Sequence, residues 1–266
     1  MSRLLVKSAP GSGRVAHITP QSAGWTYVGF DLYRLAPGET AQADTGEREA
    51  CLVLVTGKAA VSAAGQSFGS LGGRMSPFDG KPWSVYVPQG ERWSVQAETP
   101  VELAVCSAPG LSGGLPARVI APDTLKQEVR GKGSNTRYVT DILAEGEPAD
   151  SLLVVEVITP AAHTSSYPPH KHDRDALPGE SYLEETYYHR LNPPHGFAFQ
   201  RVYTDDRSLD ETLAASNGDV VLVPKGYHPV GAPHGYELYY LNVMAGPKRV
   251  WKFHNDPDHE WMLKQA

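Results

Sequence analysis

The chain of 266 residues has two cysteines, Cys51 and Cys106, far apart in apolar runs. Two isolated thiols make neither a disulfide framework nor a zinc knuckle, so a reducing compartment is expected. Basic residues are in the minority, 24 Lys and Arg against 30 Asp and Glu, for a formal net charge of −6. That balance argues against nucleic acid or an anionic membrane surface as the main partner, since both reward a basic patch. It leaves room for a local basic pocket that takes an anionic small molecule. No apolar run approaches the ~20 residues of a membrane span. The opening "MSRLLVKSAPGSG" has an apolar core of only three residues, too short for a signal peptide. A cytoplasmic protein of enzyme size is expected, with no membrane partner.

Helical periodicity is also scarce. "APDTLKQEVRG" (Ala121–Gly131) is the best helical candidate, with an aspartate near its start and a glycine at its end. What the chain has instead is glycine and proline, 26 and 22 residues, spaced between short β-rich runs such as "ACLVLVTGKAAVSA", "SLLVVEVITP" and "GDVVLVPKG". Many short strands with turn signals between them predict an all-β barrel or sandwich fold. The stretch Ser107–Arg118, "SAPGLSGGLPAR", reads as a boundary, which predicts domains at 1–118 and 119–266. The halves resemble each other. "VYVPQGER" from Val85 matches a later strand followed by "PKGYH", and "EACLVLVTG" from Glu49 lies where "ETYYHRLNPPHGF" from Glu185 lies. A duplicated β-barrel follows from that repeat.

The second half carries a constellation of ligand types. His170 and His172 stand two apart, so on a strand they point to one face. Glu184 and Glu185 open the next apolar run, and His228 follows the turn "PKGYH". Three imidazoles and one carboxylate suit a divalent metal such as Zn, Mn or Fe and leave positions for water or substrate. An isolated H-x-H is often a surface accident; the later glutamate and the histidine after a P-x-G turn favour metal binding. Glu185 is preferred over Glu184 because Glu185, Tyr187 and His189 share one face. In the first half Ala41 and Ala43, and Glu91 and Arg92 after "VPQG", stand about where imidazoles would fall, and Glu49 survives alone. That barrel is expected to hold no metal.

"HKH", a later glutamate and G-x5-P-x-G-x-H resemble the two motifs of the cupin superfamily, whose small β-barrel binds one metal through two histidines, a glutamate and a later histidine. The resemblance implies His170, His172, Glu185 and His228 as ligands, in two cupin-type barrels of which only the C-terminal one holds metal. The insertion "DRDALPGESYLE" departs from the usual spacing. "YPPHKHD", "LEETYYHRLNPPHGFAFQRVYTDDRSLDE", "NGDVVLVPKGYHPVGAPHGYELYYLNVMAG" and "DPDHEWM" are more closely similar to the 5-deoxy-glucuronate isomerases of myo-inositol breakdown, and "GWTYVGFDLYRLAPGE" fits the opening of the same family.

That resemblance implies an intramolecular aldose–ketose isomerisation of 5-deoxy-D-glucuronate to 2-deoxy-5-keto-D-gluconate, with a divalent metal and no organic cofactor. The proton-transfer residue stays open: His189 comes first because it shares the face of Glu185, Lys225 and Tyr227 flank His228 as alternatives, and Tyr187 is expected to donate a hydrogen bond from the barrel wall. Arg201, mid-strand among aromatics, either pairs with the substrate carboxylate or makes a structural ion pair, and Arg190 and Lys225 compete with it. Tyr240 is expected on the substrate side. "NDPDHEW" reads as a turn that could cap the barrel mouth, bringing His254 or His259 near the substrate. The expected partner is a small sugar acid, and a homo-oligomer is expected because open-edged barrels pair. Rival readings are a uronate ketol-isomerase of pectin breakdown, a metal-dependent dioxygenase and a sugar-acid-binding cupin without catalysis.

Overall fold

Strands make up most of the computed structural model, which describes residues 2–111 and 114–264. Among these, helix is confined to Pro20–Ala23, capped by Thr19, and to three short 3-10 turns. Ser112 and Gly113 of the expected boundary lie outside the described residues.

The chain forms two compact units that interleave in sequence. The first takes Ser8–Lys126 and Asp141–Val154, and the second takes the residues up to Lys7, Gln127–Thr140 and the chain from Val155 onward. This division does not coincide with a single cut after Arg118. Strand pairing is the reason: Arg118–Ile120 stays with the first unit by pairing Trp83–Val87, while Leu5–Val6 pairs Val220–Val223 in the second. The helix expected over Ala121–Gly131 does not form. A 3-10 turn at Pro122–Thr124 leads into an edge strand, Lys126–Arg130. Ala121 offers no side-chain cap to start a helix, and pairing with Arg137–Leu143 satisfies the backbone instead.

In the first unit a six-stranded sheet runs Arg118–Ile120, Trp83–Val87, Arg48–Thr56, Val101–Pro109, Gly29–Leu35, Gly13–Ile18. A four-stranded sheet runs Thr40–Asp44, Arg92–Ala97, Lys58–Ala63, Gln66–Gly72. Alternate residues from both sheets, among them Leu52, Leu54, Val61, Val85, Trp93, Val95 and Leu103, form one buried apolar cluster. Cys51 and Cys106 lie opposite each other on neighbouring strands, buried and reduced. Burial pushes the Cys51 thiol up to about 12.

The second unit repeats the arrangement. Its larger sheet places Glu184–Asn192 between Val220–Val223 and Glu237–Ala245, and beyond them lie the parts of Leu153–Thr159 and Arg137–Leu143 that belong to this unit, from Val155 onward and up to Thr140. Its smaller sheet runs Thr164–Ser165, Val230–Gly231, Phe197–Tyr203, Asp210–Ser216. Tyr187, Leu191, Ala198, Val202, Leu213, Val221, Val223, Leu238 and Tyr240 form the core between them.

Register corrects one equivalence between the halves. Glu185 pairs with Val223, which precedes Pro224, and Ala50 pairs with Val87, which precedes Pro88. Ala50, not Glu49, is therefore the counterpart of Glu185. Glu49 belongs to the other face of its strand. There it is fully buried and accepts hydrogen bonds from the backbone N–H groups of Asp150, Ser151 and Leu152 and from the Tyr86 hydroxyl. It fastens the segment Asp141–Val154 to the first unit.

Candidate active site

The three histidines of the second unit converge from two stretches of chain. His170–Lys171 forms a two-residue strand paired with His254–Asn255, and His172 follows it. His228 leaves the turn Pro224–Tyr227, whose Gly226 has φ +88°. A Cβ there would lie 2.4 Å from the Tyr203 carbonyl oxygen, so the turn requires glycine. The back of the site is braced by Lys171, which is buried and ion-paired to Asp173 and Asp205. Asp173 accepts the Gly226 N–H at 2.8 Å, and Tyr227 donates its hydroxyl to Asp205 at 2.7 Å. The HKH segment and the histidine-bearing turn are thus held together by one buried charge.

One ring nitrogen from each of His170, His172 and His228 lies within 4.8 Å of the others. Glu185 reaches the same point, its Oε2 at 3.1 Å from His172 Nε2 and 3.2 Å from His228 Nε2. Glu184 is the adjacent residue on the strand and therefore faces away from them. His172 donates Nδ1–H to the Leu183 carbonyl at 2.9 Å, and His228 donates Nδ1–H to the Gly226 carbonyl at 2.8 Å. His170 likewise bonds the Pro168 carbonyl. In the neutral ring of His228 this bond leaves the Nε2 lone pair facing a carboxylate oxygen, while His172 Nε2 is hydrogen-bonded to the same oxygen at 3.1 Å. His228 Nε2 is buried without a hydrogen-bond partner.

Lone pairs aimed at a carboxylate repel it unless a cation lies between them. Desolvation pushes His170 and His228 down to about 3, so both rings are neutral near pH 7. Burial acts the same way on His172, but its hydrogen bond to Glu185 and the charge there prevail and raise it. Three backbone-oriented imidazoles and a carboxylate fit a divalent metal.

A cavity opens beside the cluster, with Glu185 and His170 on one wall. Tyr187, Tyr240 and Asn242 come from the neighbouring strands, and Arg137, Arg130 and Trp251 complete the lining. Tyr187 shares a 2.9 Å hydrogen bond with Ser166. Burial, then the Glu185 charge, raises the Tyr187 phenol well above its usual range. Burial also raises Tyr240, which is hydrogen-bonded to Ser165 and Ser166. Both phenols stay protonated.

The other expected residues lie elsewhere. His189 shares the face of Glu185 but sits deeper in the core. It bonds Gln200 at 2.9 Å, is pushed down to about 4 by burial, and does not line the cavity. Lys225 is exposed on the far side of the turn, near Asp205 and Asp206. Arg201 makes a two-pronged ion pair with Asp210, both bonds 2.7 Å, on the outer face of its strand. Neither Lys225 nor Arg201 faces the histidines. From the C-terminal segment Phe253 packs against His170, ring centroids 4.6 Å apart and tilted by 39°, and Trp251 lines the cavity, while His254 is exposed and His259 lies 4.0 Å from Asp256.

Sequence reasoning missed Arg137, Arg130, Ser166 and Trp251. Arg130 comes from the edge strand of the sheet and Arg137 from the strand beside it, both more than thirty residues before the HKH motif. Only alternation along "RYVTDIL" hinted that Arg137 shares a face with the buried Val139.

The chain is 60% identical over 99% of its length, and 96% of the relative's, to a 5-deoxy-glucuronate isomerase of Geobacillus kaustophilus. It is 51% identical to one from Halalkalibacterium halodurans, covering 99% of this chain and all of that one. The solved structure of an IolB-like protein from Salmonella typhimurium superposes with a TM-score of 0.96 at 56% identity, over 98% of this chain and 99% of that one. An oxalate decarboxylase of Bacillus subtilis with Mn(II) centres superposes at 0.64 with 14% identity, over 96% of this chain and 80% of that one, which shows a shared cupin fold alone. Residues 4–262 match the KduI/IolB family, and the chain belongs to that family.

Proposed function

We propose that this protein is a metal-dependent aldose–ketose isomerase that converts 5-deoxy-D-glucuronate to 2-deoxy-5-keto-D-gluconate in myo-inositol breakdown. The observation that carries the reading is the cluster of three oriented imidazoles and Glu185, open on one side to a cavity walled by phenols and a guanidinium. His170, His172, Glu185 and His228 would hold the metal. A divalent ion bound there supplies Lewis-acid polarisation of a carbonyl and a neighbouring hydroxyl oxygen. In this reading each unit is a cupin barrel. The second alone carries the ligand set, because Ala50 takes the place of Glu185 in the first.

The reaction moves one proton from the carbon that bears the hydroxyl to the aldehyde carbon, and one between their oxygens, with no net change in atoms. Of the residues expected to act in catalysis, Tyr187 faces the cavity. Because its phenol stays protonated, its part is to donate a hydrogen bond to the oxygen on which negative charge develops. Tyr240 does the same from the adjacent strand. Trp251 and Phe253 cover the cluster and limit access of water.

Proton NMR of 5-deoxy-D-glucuronate with the metal-replete protein in D₂O tests this. Loss of the aldehyde-form signals with growth of the keto acid is expected. Conversion of only the deoxy-hexosulose uronate from pectin would assign the protein to that ketol-isomerisation instead. Saturable binding without turnover of either would make it a sugar-acid-binding protein.

A further inference from the structure

A charge without a counter-ion lies in the cavity wall. Arg137 is half-buried, and among the described residues its only hydrogen bonds run from Nη1 to the backbone oxygen and the Oδ1 of Asn135, at 3.1 and 3.2 Å. Among the described residues no carboxylate lies within ion-pairing distance of it. Its neighbour Arg130 differs. Arg130 Nε is 3.3 Å from Glu128 Oε2, and the guanidinium stacks over Trp251 at 5.5 Å. Gly131 makes room for Arg137: a Cβ there would stand 2.6 Å from Nη1.

Removing a guanidinium from water without a partner is costly. The chain has carboxylates to pair with its exposed arginines, as Arg201 with Asp210 shows. At Arg137 it leaves the Nε and Nη2 edge of a planar fork free of protein acceptors, in the same cavity as Glu185 and His170. A fork of that kind matches a carboxylate through two parallel hydrogen bonds.

We propose that Arg137 binds the carboxylate of the substrate, so that the sugar acid brings the counter-ion the fold omits and is thereby chosen over neutral sugars. The assignment rests on the isomerase reading, and it replaces Arg201 in the role of carboxylate partner. With the carboxylate held at Arg137, the opposite end of the substrate is directed toward His170 and Glu185.

The test pairs a change in the protein with a change in the ligand. The probe is 2,5-dideoxy-D-glucuronate, which keeps the carboxylate and lacks the hydroxyl that becomes the ketone, together with its neutral amide. Binding of both to metal-replete wild type and Arg137→Met is measured by calorimetry, and bound metal by elemental analysis. The expected result is wild-type affinity about 100-fold higher for the acid than the amide, and a variant that binds both alike with its metal unchanged. Arg137→Lys should recover part of the difference, since it restores the charge without the fork. Equal affinity of wild type for acid and amide, or a loss in Arg137→Met shared by both, overturns the proposal. So does failure of wild type to bind the acid. Because these ligands do not react, acid selectivity that depends on Arg137 stands even if 5-deoxy-D-glucuronate is not turned over. Turnover with unchanged selectivity in the variant would sink Arg137 alone.

Discussion

His172 and His228 each commit one ring nitrogen to a backbone carbonyl, and this decides what the other nitrogen can do. A second nitrogen fixed toward Glu185 is oriented to hold a cation beside that carboxylate, whereas a freely rotating imidazole would find another hydrogen bond. Replacing His172 with alanine should lower bound metal at least tenfold at limiting free metal, with activity falling in step. Full occupancy in His172→Ala would contradict the ligand assignment. His189 gives the contrasting case. Its folded value of about 4 lies below the unfolded value near 6.5. As pH falls below about 6.5 the unfolded chain takes up a proton that the folded core refuses, so stability declines until the pH passes about 4. Between pH 7 and 5 this group removes about 2 kcal/mol. Denaturant unfolding of His189→Gln should show a smaller decline over that interval by about this amount, with turnover at pH 7 within about threefold of wild type. A loss of turnover of a hundredfold or more would return His189 to the catalytic machinery.

At the scale of elements, strand parity explains which expectations held their place and which moved. Period two assigns a face, and Glu185, Tyr187 and His189 do share one; it does not assign depth, which is why His189 ends below the cavity. In Phe197–Tyr203 the large residues mislead: Phe199 is 50% exposed, while Ala198, Gln200 and Val202 face inward. Arg201 therefore points out with Phe199 rather than into the core. The counterpart shift between Glu49 and Glu185 is also one of parity. Glu49 fastens a connecting segment through three backbone N–H groups. Glu49→Ala should cost about 3 kcal/mol in unfolding free energy, since buried donors lose a charged acceptor. Metal content should not change, and a drop in bound metal would show that Glu49 serves the metal centre.

For the molecule as a whole, the proposed metal site would link metal binding to folding. A ligand held only by the folded state stabilises it by about 4 kcal/mol at a thousandfold excess over its Kd. Chelation should therefore lower the Tm by several degrees, and Zn²⁺ or Mn²⁺ should restore it. An unchanged Tm after verified metal removal would mean that the cluster stands without its ion. No helix among the described residues is long and apolar enough to cross a membrane.

The sequence by itself determined the all-β class and the family resemblance, and it singled out the four residues proposed here as metal ligands. Those signals are local: an i, i+2 pair of histidines, a glutamate opening a strand, and a glycine turn that delivers His228. Tertiary structure decided which charges the cavity contains. Arg137 reaches the site because Arg137–Leu143 joins the sheet beside Leu153–Thr159, and Trp251 because the C-terminal segment returns to pair with His170–Lys171. Pairing between strands far apart in sequence leaves no local signature, so the partner of a substrate carboxylate could be read only from the folded chain.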